Sequence, residues 1–111
     1  MITYTGIKRG TPVAVNTTPV KLFSTNARGR SGYRLYNPSD ANDLLIIEVM
    51  AGATAPVAGD FTAEDLDFRI GPNKTQESGA EDNVDVYGVM SAAGSTNIAV
   101  RELFSRRDNR G

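Results

Sequence analysis

Leu44-Leu45-Ile46-Ile47-Glu48-Val49-Met50 decides how this 111-residue chain is read. In a strand, alternate side chains point to opposite faces, so Leu45, Ile47 and Val49 make one apolar set and Leu44 and Ile46 make a second on the reverse face. A sheet of a sandwich meets the core on one face only. With the first set taken as core, Leu44 and Ile46 need separate cover, from a partner subunit, a folded-back arm or a local loop. Outward from this strand, apolar residues recur with period two in short runs, punctuated by Gly, Pro, Asn and Ser. The pattern predicts strands at Ile2–Ile7, Pro12–Val15, Val20–Phe23, Tyr33–Tyr36, Leu44–Met50, Asp67–Ile70, Val84–Met90 and Ile98–Leu103. Val20 and Leu22 flank Lys21, Phe68 and Ile70 flank Arg69, and Ile98 and Val100 flank Ala99, so one face of each strand goes to the core.

Gly52–Gly59 and Gly71–Asn83 read as loops, because Gly and Pro break pairing and the polar residues resist burial; the second is expected to be a surface flap. Thr62-Ala63-Glu64-Asp65 carries the capping pattern of a single helical turn ending by Leu66. The expected architecture is all-β: one antiparallel β-sandwich of about eight short strands over residues 1–104. Residues 1–10 double as an N-terminal arm, and 105–111 form a basic C-terminal tail with no apolar anchor after Phe104.

Composition narrows the chemistry. There is no Cys and no His, which removes disulfides, thiolate nucleophiles, cysteine-held metals and Ser-His-Asp machinery. The carboxylate pairs Asp65/Asp67 and Asp82/Asp85 sit in polar segments, without the contrast of environments that splits two pKa values for acid–base work. Asp40-Ala41-Asn42-Asp43 offers alternating oxygen ligands. It lacks the Gly and Glu of a calcium loop, with Leu45 and Ala51 in their places, and reads as a turn. No phosphate-binding glycine loop is present. The sequence therefore predicts no enzyme, no cofactor and no metal site.

Charge is segregated along the chain. Residues 1–34 hold six basic residues and no acidic one. Residues 35–100 hold eleven acidic residues against Arg69 and Lys74, and residues 101–111 hold four Arg against Glu102 and Asp108. Such asymmetry suits charge-complementary association, although folding can also interleave the segments and neutralise them. Arg28-Gly29-Arg30-Ser31-Gly32-Tyr33-Arg34 mixes the residues of phosphate contact and base stacking. The sequence pI of about 5.3 argues against nucleic acid as a partner. No apolar run approaches the roughly 18 residues of a membrane span, and the start lacks a signal-peptide core, so the expectation is a protein made and released in the cytoplasm.

Two stretches, GYRLYNPSDANDLLIIEV (32–49) and VDVYGVMSAAGSTNIAVREL (84–103), resemble a pattern in small virion proteins of tailed bacteriophages. There a strand ends in an NPS turn before an apolar strand, and the chain closes with a "VYGVSAAGTTNVRVLE"-like hairpin. Asn37, Pro38 and Ser39 match the turn, and Tyr87 to Glu102 match the hairpin. The chain resembles the capsid staple and cement (decoration) proteins, most closely the staples of the epsilon fifteen-like podoviruses. The resemblance implies a jelly-roll sandwich, bound as a homodimer on the outside of an icosahedral shell in the virion and bridging neighbouring major capsid proteins. Shell-contact residues do not transfer by motif. Charge and expected exposure nominate Lys8, Arg9, Arg106, Arg107 and Arg110, and the strand argument adds Leu44 and Ile46. The alternative is a tail or head-fibre accessory binding host carbohydrate through Tyr33, Tyr36, Asn37 and Asn42.

Overall fold

A computed structural model describes residues 4–23, 30–79 and 83–105. These form nine strands: β1 (Tyr4–Arg9), β2 (Val13–Val15), β3 (Val20–Lys21), β4 (Arg30–Asn37), β5 (Leu44–Met50), β6 (Phe68–Ile70), β7 (Lys74–Ser78), β8 (Val84–Met90) and β9 (Thr96–Ser105). Two antiparallel sheets result. Sheet 1 has the order β1-β9-β4-β7, with β2 also on β9, and sheet 2 has the order β3-β8-β5-β6.

The pairing is nested. β1 and β2 lie along successive parts of β9, β3 pairs β8, β4 pairs β7, and β5 pairs β6. First joins last, and each inner pair closes inside the previous one: a long hairpin wrapped into two sheets, which is the jelly-roll arrangement. β1 and β2 are one strand interrupted at Gly10–Pro12, where proline cannot donate to the ladder. Among consecutive strands, only β5 and β6 are paired neighbours within a sheet. The stretch expected as a closing hairpin is therefore a crossover, since β8 belongs to sheet 2 and β9 to sheet 1. Its corner turns at Gly94, whose φ of +114° disfavours other residues.

The core lies between the sheets. Val15, Leu22, Phe23, Tyr33, Leu35, Leu44, Ile46, Ile70, Val86, Met90, Ile98 and Val100 form one buried cluster, with Val20 and Phe68 packed against it. The period-two readings around Lys21, Arg69 and Ala99 match this burial. The face assignment of β5 is reversed. Leu44 and Ile46, expected to need separate cover from a partner subunit, an arm or a local loop, are both 0% exposed in the sandwich core and cannot serve as a docking surface. The outward set is Leu45, Ile47 and Val49, packed with Tyr87 and Val89 of β8 and covered by Phe61 and Leu66. A local segment supplies the cover, over the face opposite to the one expected.

That segment, residues 51–67, contains a short 3₁₀ turn (Ala58–Asp60) and then the anticipated single turn. In it, Asp65 and Leu66 N–H donate to the Thr62 carbonyl at 3.0 and 3.2 Å. β7 corrects the expected flap. Lys74–Ser78 has no apolar residue, yet it pairs in register with β4 from Asn37↔Lys74 to Tyr33↔Ser78. A polar, charged strand at a sheet edge needs only its neighbour's backbone, and its charges discourage further pairing.

Gly88 of β8 faces the core where three side-chain tips converge. A Cβ there would lie 3.2 Å from Leu22 Cδ1 and 3.3 Å from both Ile46 Cδ1 and Leu44 Cδ1. Gly88→Ala is expected to destabilise the fold by about 1–3 kcal/mol through overpacking. A urea midpoint equal to wild type would show that the three tips can withdraw without strain.

Candidate functional site

Side chains with chemical capability fall into two groups, those fastening the sheets together from within and those arrayed on the outer faces. Asn37, at the end of β4, is 0% exposed. Its Nδ2 lies 2.9 Å from the Asn42 carbonyl, 3.0 Å from that of Ile70 and 3.2 Å from that of Gly71, while its Oδ1 accepts from Ser39 N–H at 3.1 Å. The Asn-Pro-Ser turn thereby clamps sheet 1 to the end of β6 in sheet 2. Ser39 Oγ accepts from Asn42 N–H at 3.0 Å and completes the corner.

At the opposite end of β4 a second polar cluster joins the sheets. Arg30 Nη2 donates to the Val84 carbonyl at 2.7 Å. Arg30 Nη1 stands 3.6 Å from Glu102 Oε2, and its guanidinium lies 5.5 Å from the centre of the Phe23 ring. Nearby, Tyr33 Oη donates to Glu48 Oε2 at 2.6 Å, and Ser78 Oγ donates to the same oxygen at 3.1 Å. Burial, then the hydrogen bond to the Glu48 carboxylate and its charge, push the Tyr33 phenol far above the ordinary tyrosine range.

This shift has a definite sign. A raised folded pKa means that the stabilisation is complete below about pH 10, the ordinary tyrosine value, and is lost as pH climbs toward the folded value. Urea midpoints of wild type are therefore expected to fall more steeply above pH 10 than those of Tyr33→Phe. Parallel alkaline slopes for the two proteins would contradict this role.

The outer face of sheet 1 carries a different pattern. The register sets Arg9 of β1 opposite Arg101 of β9, Arg101 opposite Arg34 of β4, and Arg34 opposite Glu77 of β7. Directly opposed residues share a face, so three arginines stand in a row across three adjacent strands. Arg34 Nε contacts Glu77 Oε2 at 3.2 Å. Among the described residues no carboxylate pairs with Arg9 or Arg101. Beside the row, Arg34, Tyr36, Thr75, Ala99 and Arg101 line a shallow groove of about 160 Å³.

The outer face of sheet 2 is acidic where the 51–67 segment crosses it, through Asp60, Glu64, Asp65 and Asp67, all exposed. Asp67 Oδ2 accepts from Glu48 N–H at 2.7 Å, and Asp60 Oδ2 accepts from Val57 N–H at 2.9 Å. Asp85, 2% exposed, accepts from Gly52 N–H at 3.2 Å and pairs with Lys21 at 3.7 Å. Asp43 is bound to Arg69 Nε at 2.6 Å. Asp82 lies outside the described residues. Among the described residues no group of three or more acidic side chains is placed to hold a metal, and no helix is long and apolar enough to cross a membrane.

Of the residues nominated for partner contact, Lys8 and Arg9 are exposed on β1, whereas Leu44 and Ile46 are core. Arg106, Arg107 and Arg110 lie outside the described residues. Of the carbohydrate candidates, Tyr33 and Asn37 are 0% exposed and bonded inside, while Tyr36 is 38% exposed and Asn42 half-buried. The stretch from Arg28 to Arg34 is not a continuous stacking surface, because Arg30 and Tyr33 are buried. Arg34, Tyr36 and Arg101 were missed as a group. Their proximity arises from strand register between distant parts of the chain, which no local pattern announces.

Comparisons of the chain with protein-family models, curated proteins and solved structures yield no match.

Proposed function

We propose that this protein is a non-enzymatic virion component. In this reading it binds the outside of an icosahedral phage shell and staples neighbouring major capsid proteins, acting as a homodimer. The observation that carries the reading is how the capable side chains are used. Asn37, Tyr33, Glu48 and Arg30 are bonded across the two sheets, and Glu102 and Asp85 are paired within one sheet, so these side chains are turned inward to hold the fold. What faces outward is broad and charge-patterned, with the arginine row on one sheet and the acidic segment on the other. The NPS corner and the jelly-roll pairing agree with the resemblance to capsid staples.

A staple works mechanically. A shell strained from within is held by its subunit contacts, and a clamp across two subunits adds a second set. Joining two copies makes the second attachment intramolecular, at an effective concentration of about millimolar, so modest contacts hold firmly. A standard interface of roughly 800 Å² per partner is a small part of the 6695 Å² surface. Particles assembled without the protein are expected to release their genome at lower temperature than particles that carry it. Equal robustness of the two would remove the stabilising role.

A further inference from the structure

We propose that the arginine row on the outer face of sheet 1 is a docking site for an extended acidic segment of a protein partner. The inference rests on the binding role above and names the chemistry of what is bound. Like charges placed directly opposite each other across strands destabilise a sheet. Arg101 meets an arginine on both sides, Arg9 and Arg34, in exact cross-strand register. No carboxylate among the described residues offsets Arg9 or Arg101. The pattern is unfavourable for the free fold and becomes favourable once carboxylates from outside settle between the guanidinium groups.

The geometry specifies the occupant. Adjacent strands are about 4.8 Å apart, so the row is about 10 Å long, while side chains at i and i+2 of an extended segment are about 7 Å apart. The gaps on either side of Arg101 are about 4.8 Å apart, and two glutamates at alternate positions reach them by converging through their flexible stems. Planar guanidinium groups match carboxylates in paired hydrogen bonds. Glu77 already occupies one end of the row through a single contact, its Oε2 3.2 Å from Arg34 Nε, and an incoming segment continues the alternation. The adjoining groove, lined by Tyr36, Thr75 and Ala99 between Arg34 and Arg101, receives an apolar or small side chain. A nucleic-acid strand fits less well, since the row is short, Glu77 closes one end, and the opposite sheet face is acidic.

The test is fluorescence anisotropy at low salt with a labelled peptide bearing glutamate at alternate positions, its glutamine counterpart, and a single-stranded oligonucleotide of equal charge. Wild type is expected to bind the glutamate peptide about tenfold more tightly than the glutamine peptide, and Arg101→Gln to lose about tenfold, as for charged hydrogen bonds. Lys74→Gln removes an equal charge from a residue outside the row and is expected to change affinity by less than about twofold, as for an exposed charge. Arg101→Gln should also melt no lower than wild type, because it relieves the repulsion, so loss of binding is separated from loss of fold.

Equal weakening by Arg101→Gln and Lys74→Gln would overturn the site in favour of diffuse charge attraction. Tighter binding of the oligonucleotide would overturn the choice of partner, and a wild type that ignores the glutamate peptide would overturn the proposal outright. Peptide binding without shell binding would overturn the stapling role alone. Shell binding untouched by Arg101→Gln would overturn the site alone.

Discussion

Arg30→Met is expected to lower stability by about 3–5 kcal/mol, the cost of stranding one partner of a buried ion pair. The Arg30 side chain is 0% exposed and that of Glu102 11%, so water cannot replace the lost guanidinium. The substitution also removes the donor to the Val84 carbonyl in sheet 2, and with it a tie between sheets at this end of the sandwich. Since a domain of this size is commonly stable by about 5–15 kcal/mol, the variant should melt on the order of 15 °C lower or more. The double variant Arg30→Met with Glu102→Leu should recover much of the loss, because apolar replacement of a whole buried pair is often neutral. A single-variant loss under about 1 kcal/mol would mean that the pair behaves as a solvated surface contact.

The second large effect belongs to the other end of the sandwich. Asn37→Ala should cost about 3 kcal/mol, since hydrogen bonds contribute about 1 kcal/mol each and acceptors left buried without donors cost more. The carbonyls of Asn42, Ile70 and Gly71 share the two hydrogens of Nδ2, and that of Gly71 also accepts from Lys74 N–H at 3.2 Å, so the loss falls mainly on Asn42 and Ile70. Asn37→Asp should be comparably harmful, because a carboxylate accepts where these carbonyls need a donor. Chemical denaturation of the variants checks both. If Asn37→Ala matched wild type, the corner would be held by Pro38 and the Ser39 bonds instead.

Much of the architecture is legible in the sequence, and the parts that are not share a cause. Alternation finds the strands around Lys21, Arg69 and Ala99 because each has one apolar face. It cannot orient β5, where both faces are apolar and only the placement of Phe61 and Leu66 over Ile47 decides. β7 is hidden because Lys74–Ser78 owes its extended form to the backbone of β4 rather than to any apolar face. The NPS turn can be read as a turn, but its grip on Ile70 of the other sheet depends on how the sheets stack. The arginine row is a property of register alone, as Arg9, Arg34 and Arg101 have no sequence proximity. In the sequence Arg9 stands out by expected exposure, Arg34 belongs to the basic stretch from Arg28 to Arg34, and nothing joins either to Arg101.

These corrections change what a partner can touch. Leu44 and Ile46 hold the sheets together, and the apolar reverse face of β5 is covered by the chain's own 51–67 segment. Among the described residues the surface available for association carries arginines on sheet 1 and carboxylates over sheet 2, with Ile7, Val57 and Met50 as more than half-exposed apolar side chains.

The stapling role is tested most directly by cosedimentation of the purified protein with shells stripped of their accessory proteins, together with its mass in solution. The account predicts a dimer that saturates the shell at a fixed ratio to the major capsid protein. A monomer that stays in the supernatant at every concentration would contradict it.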